Sequence, residues 1–247
     1  MNKIVQVFGK ERVFLPVIHF KNTVEISRSV HIAVNSGCDG LFFIKQGGIS
    51  TPVLNELIRQ AHEQYPKIWI GVNYLSSDNI RALKQVYSLP MVDGLWTDNA
   101  CIPDSGNMIN EYEYNETIRC AEAFDIERTK YNWKGLYFGG VAFKYQTPVL
   151  DKNLDSVSKV AKEFMDVVTT SGDGTGRAAK PDKIAVMKYA IGDHALGLAS
   201  GVSVSNVHDY LPYVNAFLVA TSIEDDFGIL NEKKTNRLAK LIREYKS

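Results

Sequence analysis

The stretch Ala195–Ser222, ALGLASGVSVSNVHDYLPYVNAFLVATS, constrains this chain more than any other. A short apolar run, Leu196–Ala199, stops at Ser200-Gly201, and a second, Ala216–Ala220, stops at Thr221-Ser222. A Ser/Asn-capped helical segment is expected between them. Continuous apolar runs of this length read as parallel strands covered on both faces. Two such strands, each ending in small residues with open backbone amides, are what a (β/α)8 barrel uses after strands seven and eight to hold a phosphate.

The rest of the chain is consistent with that expectation. Strands are expected at Val13–His19, Leu41–Ile44, Ile68–Asn73, Gly94–Thr97, Gly135–Val141 and Val167–Thr170. Helices are expected at Thr23–Asn35, from Thr51 to about Tyr65, at Ser77–Val86, Thr117–Phe124, Leu154–Phe164, Lys183–Ile191 and Asn231–Tyr245. Gly37 and Asp39-Gly40 supply a helix stop and a turn, and Thr51-Pro52 a helix start. The entry Asp/Asn-Gly/Ala before an apolar pair recurs at Asp39, Asp93 and Asn215, a short echo of repeated strand–helix units. An open doubly wound sheet is the rival architecture, but strand one ends His19-Phe20-Lys21-Asn22 without the glycine-rich turn common there. The reading is therefore an α/β protein, a (β/α)8 TIM barrel in one domain spanning residues 1–247.

Composition narrows the class of ligand. Lys+Arg and Asp+Glu are both 28, so no overall field favours nucleic acid, and any affinity for an anion must be local. No apolar run approaches a membrane span, and MNKIVQVFGKERVF lacks a signal-peptide core, so a cytoplasmic protein without membrane insertion is expected. Cys38, Cys101 and Cys120 are odd in number and lack CxxC spacing, which argues for a reducing compartment and against zinc. The sequence leaves a homo-oligomer open.

In a barrel the chemistry sits at the carboxyl ends of the strands. The expected phosphate cup comprises Ser171, Gly172, Ser200, Gly201, Val202, Ser203, Thr221 and Ser222, with Gly201 allowing close backbone approach. As structural residues the same Ser-Gly and Thr-Ser pairs are turns and caps. Asp98, ending strand four, is placed to act as a general base or to stabilise a cationic centre; otherwise it forms an Asx-turn. Lys45 neutralises a phosphate, acts as a desolvated nucleophile, or merely rims the barrel. Asn73 offers a donor and an acceptor to a ligand or braces the backbone, and His19 shuttles protons or serves as a buried structural imidazole. Lys144 is the weakest candidate of this kind. The Ser171–Gly176 loop reads as a lid, a second set of amides or a plain surface loop, and lacks the ending of a P-loop. No His-x-His opens strand one and strand six holds no lysine, so a metal amidohydrolase and the commonest Schiff-base aldolase position are disfavoured. No cofactor is expected, and a sparse site would allow Mg²⁺ only as a substrate-held ion.

The segments GVNYLSSDNIRAL (Gly71–Leu83), TSGDGTG (Thr170–Gly176) and SGVSVSNVHDYLPYVNAFLVATSI (Ser200–Ile223), with VIH (Val17–His19) more faintly, resemble the BtpA family. The resemblance implies a phosphate-binding (β/α)8 barrel. That family is named for a factor needed for photosystem I accumulation, and its relatives are labelled nucleosidase-like or phosphoribosyltransferase-like. The chain departs from the family pattern at Lys45-Gln46, where an acidic Glu-Asn pair is usual, and at Thr97-Asp98-Asn99. The expected activity is C–N bond cleavage or transfer at the anomeric carbon of a phosphorylated sugar or ribosyl compound. A sugar-phosphate isomerase is the near alternative. A non-enzymatic assembly factor is the other, with Tyr112, Tyr114, Tyr131 and Trp133 as its candidate partner patch.

Overall fold

The computed structural model describes residues 2–46, 48–104 and 111–246. Eight parallel strands close into a barrel in sequence order: β1 (Val13–Ile18), β2 (Gly40–Ile44), β3 (Trp69–Asn73), β4 (Gly94–Thr97), β5 (Leu136–Gly140), β6 (Val167–Thr170), β7 (Ala195–Ala199) and β8 (Ala216–Val219). The ring closes where β8 pairs with β1, Val13–Pro16 lying against Ala216–Val219. Helices α2 (Thr23–Asn35), α3 (Thr51–Gln64), α4 (Asn79–Tyr87), α5 (Glu111–Tyr131), α6 (Leu154–Ala161) and α7 (Pro181–Ile191) follow β1 to β6 in turn, and α8 (Glu232–Glu244) closes the chain. All eight strands are buried along their length, as parallel strands covered on both faces require. The fold class expected from the sequence is the one found.

Alternation along each strand separates two cores. Val13, Leu15, Val17, Phe42, Trp69, Trp96, Phe138 and Leu218 fill the barrel interior, while Phe14, Phe43, Ile70, Val72, Tyr137 and Phe217 pack outward against the helices. Inside, Phe42 meets Trp69, Trp96 and Phe138 edge-on at 5.3, 5.8 and 5.0 Å between ring centroids. A helix not expected from the sequence, α1 (Lys3–Phe8), brings Ile4 into this interior core and sets Phe8 against Trp69.

The recurring entry residues have a shared task. Asp39 Oδ2 accepts the amide of Phe14, Asp93 Oδ2 that of Ile70, Asp166 Oδ2 that of Tyr137 and Asn215 Oδ1 that of Leu196. Each of the four also donates its own amide to the carbonyl of that same partner, at 2.6–3.0 Å. The residue before each even-numbered strand thus grips the start of the preceding odd-numbered strand at two points. Asp166 is a fourth member of the echo that the Gly/Ala pattern does not include.

Three differences from the sequence reading concern the connections. Between β7 and β8 there is no α-helix, only a 3₁₀ turn at Val207–Asp209. There Asn206 Oδ1 accepts from the Ser203 amide and its Nδ2 donates to the Gly201 carbonyl, so short polar side chains claim backbone groups that a helix would use. After β8 the chain forms a small hairpin, β9 (Glu224–Asp226) and β10 (Ile229–Leu230), before α8. Helix α5 runs 21 residues rather than eight, and only Ala121 and Phe124 on it are buried, which leaves little apolar periodicity to read. Between β4 and α5, residues 105–110 lie outside the described residues.

Cys101 and Cys120 are joined in a disulfide, which removes the odd-count argument for a reducing compartment. The remaining thiol, Cys38, is pushed up to about 12 by burial. No helix among the described residues is long and apolar enough to cross a membrane.

The two-point clamp predicts a graded loss of stability. Replacing Asp93 by Ala leaves the buried Ile70 amide without its acceptor and is expected to cost about 1–3 kcal/mol. Asp93→Asn keeps an acceptor oxygen, as Asn215 does naturally, and should cost less than half as much in denaturant unfolding.

Candidate active site

The carboxyl ends of the strands enclose a cavity of about 330 Å³. Its floor is the upper layer of the interior core, Val17, Ile44, Trp96 and Leu218, and its rim carries His19, Asp98, Lys144, Gly201, Val202, Thr221 and Ser222. Since β4 lies across the ring from β8, and β5 across from β1, Asp98 and Lys144 rise on the side opposite the β8 tip.

The β7 tip takes an unusual backbone path. Ser200 and Gly201 both have left-handed conformations, φ 83° and 75°, so the chain turns sharply at the end of β7. A Cβ on Gly201 would lie 2.0 Å from the Arg177 carbonyl oxygen, which is why only glycine fits. The amide of Ser200 is committed to the Leu218 carbonyl and that of Ser203 to Asn206. Among the described residues, the amides of Gly201, Val202, Thr221 and Ser222 meet no acceptor, and all four residues line the cavity. The Ser222 hydroxyl donates to the Val202 carbonyl and ties the two tips together.

Ser171 and Gly172, grouped with these on sequence grounds, do not line this cavity. Ser171 is fully buried, its Oγ accepting the Lys144 amide at 2.8 Å, and its carbonyl accepts from Lys183 Nζ. The loop beyond them is fastened at both sides. Thr175 Oγ1 bonds the Tyr145 hydroxyl at 3.0 Å, and the Gly176 amide donates to Ser200 Oγ at 2.8 Å.

Asp98 is held from several directions. Asn73, 2% exposed at the end of β3, donates from Nδ2 to Asp98 Oδ1 at 2.8 Å. Gln146 donates to the Asp98 carbonyl, and the Asp98 backbone passes so close to Gly140 that a Cβ there would lie 1.9 Å from the Asp98 oxygen. Burial raises the Asp98 carboxyl above its ordinary value, opposed by the Asn73 hydrogen bond and the positive field of Lys144. Burial conversely lowers the Lys144 amine, opposed by Asp98. Lys45 does not line the cavity; its neighbour Gln46 does.

The feature with no signal in the sequence is Glu224. It follows β8 by five residues, is itself buried, and accepts from or shares a proton with His19 Nδ1 at 2.9 Å. Its Oε1 is also fixed by the Gly228 amide, and Phe227 stacks on the imidazole with centroids 4.7 Å apart. With Nδ1 occupied, Nε2 is the ring nitrogen left for the cavity that His19 lines, the arrangement by which a carboxylate fixes a histidine tautomer. Only the spatial return of the hairpin to β1 brings the pair together. Among the described residues no cluster of three or more His, Cys, Asp or Glu side chains is arranged to hold a metal ion.

With this geometry in place, the chain can be set beside known proteins. Its fold is that of several solved enzymes. A phosphoribosyl anthranilate isomerase from Thermus thermophilus superimposes with a TM-score of 0.61 at 17% identity, covering 93% of this chain and 99% of that one. An (S)-3-O-geranylgeranylglyceryl phosphate synthase from Thermoplasma acidophilum, solved with sn-glycerol-1-phosphate, gives 0.67 at 13%, covering 99% and 100%. A 3-keto-L-gulonate-6-phosphate decarboxylase from Vibrio cholerae gives 0.59 at 8%, covering 96% and 100%. An uncharacterized protein of Thermococcus kodakarensis is 34% identical over 92 residues, which is 37% of this chain and 34% of that protein. No protein-family model matches the chain.

The half-buried Lys183 beneath this mouth gives a pH signature. Its Nζ donates to the carbonyls of Ala142 and Ser171 at 2.6 and 2.7 Å, and burial lowers its amine to about 8 from an ordinary 10.5. Below about pH 8 it is charged in both states. Between about 8 and 10.5 the folded chain has shed a proton that the unfolded chain retains, so stability should rise with pH across that window. Denaturant midpoints measured from pH 8 to 10 should climb in the wild type and climb less in Lys183→Met.

Proposed function

We propose that the chain is an enzyme acting on a phosphorylated sugar or ribosyl compound, and that it cleaves or transfers a C–N bond at the anomeric carbon. The observation that carries this reading is the pairing, around one cavity, of four unclaimed amides on the β7 and β8 tips with two proton-transfer groups, Asp98 and the His19–Glu224 pair. Neutral amides held in a fixed turn bind a phosphate dianion without a competing counter-ion. Asp98, kept protonated more readily by its burial, donates to the departing nitrogen. His19, its Nδ1 held by Glu224, takes a proton from the incoming nucleophile at Nε2, and Asn73 keeps the Asp98 carboxyl oriented.

Two further findings support the reading. The segments that resemble the BtpA family, Gly71–Leu83, Thr170–Gly176 and Ser200–Ile223, fall on β3 with α4, the loop after β6, and the β7–β8 tips, so the likeness is concentrated at the mouth. The solved structures sharing the fold include proteins named for phosphoribosyl and sugar-phosphate substrates. A sugar-phosphate isomerase is a second reading, favoured by the His19–Glu224 pair: an isomerase needs a base and an acid that both touch carbon-bound substrate protons or oxygens, and the site has one of each.

Incubation with a panel of ribosyl 5-phosphates carrying a nitrogen substituent, followed by detection of the released amine or base, separates C–N bond chemistry from aldose–ketose conversion. With an active substrate, Asp98→Asn is expected to lower kcat by about 10²–10⁴-fold while inorganic phosphate still competes as before. Thr221→Glu places a negative charge at the exposed edge of the cup and should weaken phosphate competition at least about tenfold without changing the melting temperature. Full turnover in Asp98→Asn would remove the assignment.

A further inference from the structure

A second, smaller cavity of about 180 Å³ adjoins the mouth, and Lys144 and Tyr145 line both. Its wall carries three lysines, Lys144, Lys180 and Lys183, and two carboxylates, Asp151 and Asp173. The charges are not evenly matched. Asp173 and Asp151 both act on Lys183, which also donates to two carbonyls. Lys144 and Lys180 form no ion pair among the described residues. Lys144 is moreover half-buried, and the carboxylate that acts on it, Asp98 on the rim of the main cavity, lies beyond ion-pair distance.

Position matters as much as charge. The lysine cavity lies beyond the β5 and β6 tips, whereas the open amides lie on β7 and β8, so the two anion-attracting regions sit in neighbouring cavities that share Lys144 and Tyr145 as lining. Helix α7 begins at Lys180-Pro181, and no side chain caps it, so its first amides add to the positive potential beside the lysines. A ligand with a single phosphate satisfies only the amide cup and brings no anion to Lys144 and Lys180.

We propose that this annex is a second anion subsite, and that the molecule the site takes carries two anionic groups: a phosphate for the cup and, at its far end, a phosphate or carboxylate for Lys144 and Lys180. The inference rests on the phosphorylated-substrate reading and narrows its substrate class from sugar monophosphates to doubly anionic ones. Lys183 fixes the loops that shape the annex, while Lys144 and Lys180 supply the charge.

Matched probes test this. Binding of ribose 5-phosphate, ribose 1,5-bisphosphate and 5-phosphoribonate is measured by calorimetry on the wild type and on Lys144→Gln, Lys180→Gln and Thr221→Glu. In the wild type at least one doubly anionic probe should bind tenfold or more tightly than ribose 5-phosphate, and which one wins tells whether the annex takes a phosphate or a carboxylate. Lys144→Gln and Lys180→Gln should erase most of that advantage while ribose 5-phosphate changes less than twofold. Thr221→Glu should weaken all three probes alike. Equal affinity for all three probes in the wild type, or an equal loss of all three in the lysine variants, overturns the annex but leaves the phosphate cup standing. Failure of every probe to bind overturns both.

Discussion

The structure depends on a small hydrogen-bonded clamp used four times. A parallel barrel has to fix the stagger of eight strands whose side chains, apolar on both faces, slide past one another at little cost. Asp39, Asp93, Asp166 and Asn215 supply the missing direction by gripping the second residue of the preceding strand through side chain and main chain together. Because each grip joins an even strand to the odd one before it, the barrel is built from four two-strand units. Burial of these acceptors is not free, as the raised carboxyl of Asp93 shows, but each is repaid by an amide that would otherwise be stranded at the barrel floor.

With the register set at the bottom, the top can be irregular. Ser200 and Gly201 hold left-handed conformations, Gln146 pins the backbone of Asp98, and Tyr145 and Ser200 strap the loop between β6 and α7 from both sides. These contacts place groups of opposite tendency in one hollow: a carboxyl that burial makes harder to ionise and an amine that burial makes easier to neutralise. Below them, Trp96 packs edge-on against Phe42 and Phe143 and forms part of the floor.

Much of the barrel was legible in the sequence because its strands are continuous apolar runs between Asp/Asn entries and polar exits, a pattern carried by local residue order alone. The strand-end rule placed His19, Asn73 and Asp98 correctly at the ends of β1, β3 and β4. It could not find Glu224, since a carboxylate in a short polar stretch, Glu224-Asp225-Asp226, carries no local mark of burial and acquires its partner only through a contact across 205 residues. Nor could it divide the β7 tip into committed and open amides, because that depends on where the Asn206 side chain turns. Helix α5 was underestimated for a related reason: with two buried residues it lacks the periodicity by which helices are recognised.

The last pairing around the ring joins the first strand to the eighth, and the hairpin that follows crosses this same seam to clasp His19 between Glu224 and Phe227. The imidazole is thereby held by a segment 205 residues away along the chain. Closing the barrel and orienting the His19 ring are therefore linked, since one seam carries both sets of contacts.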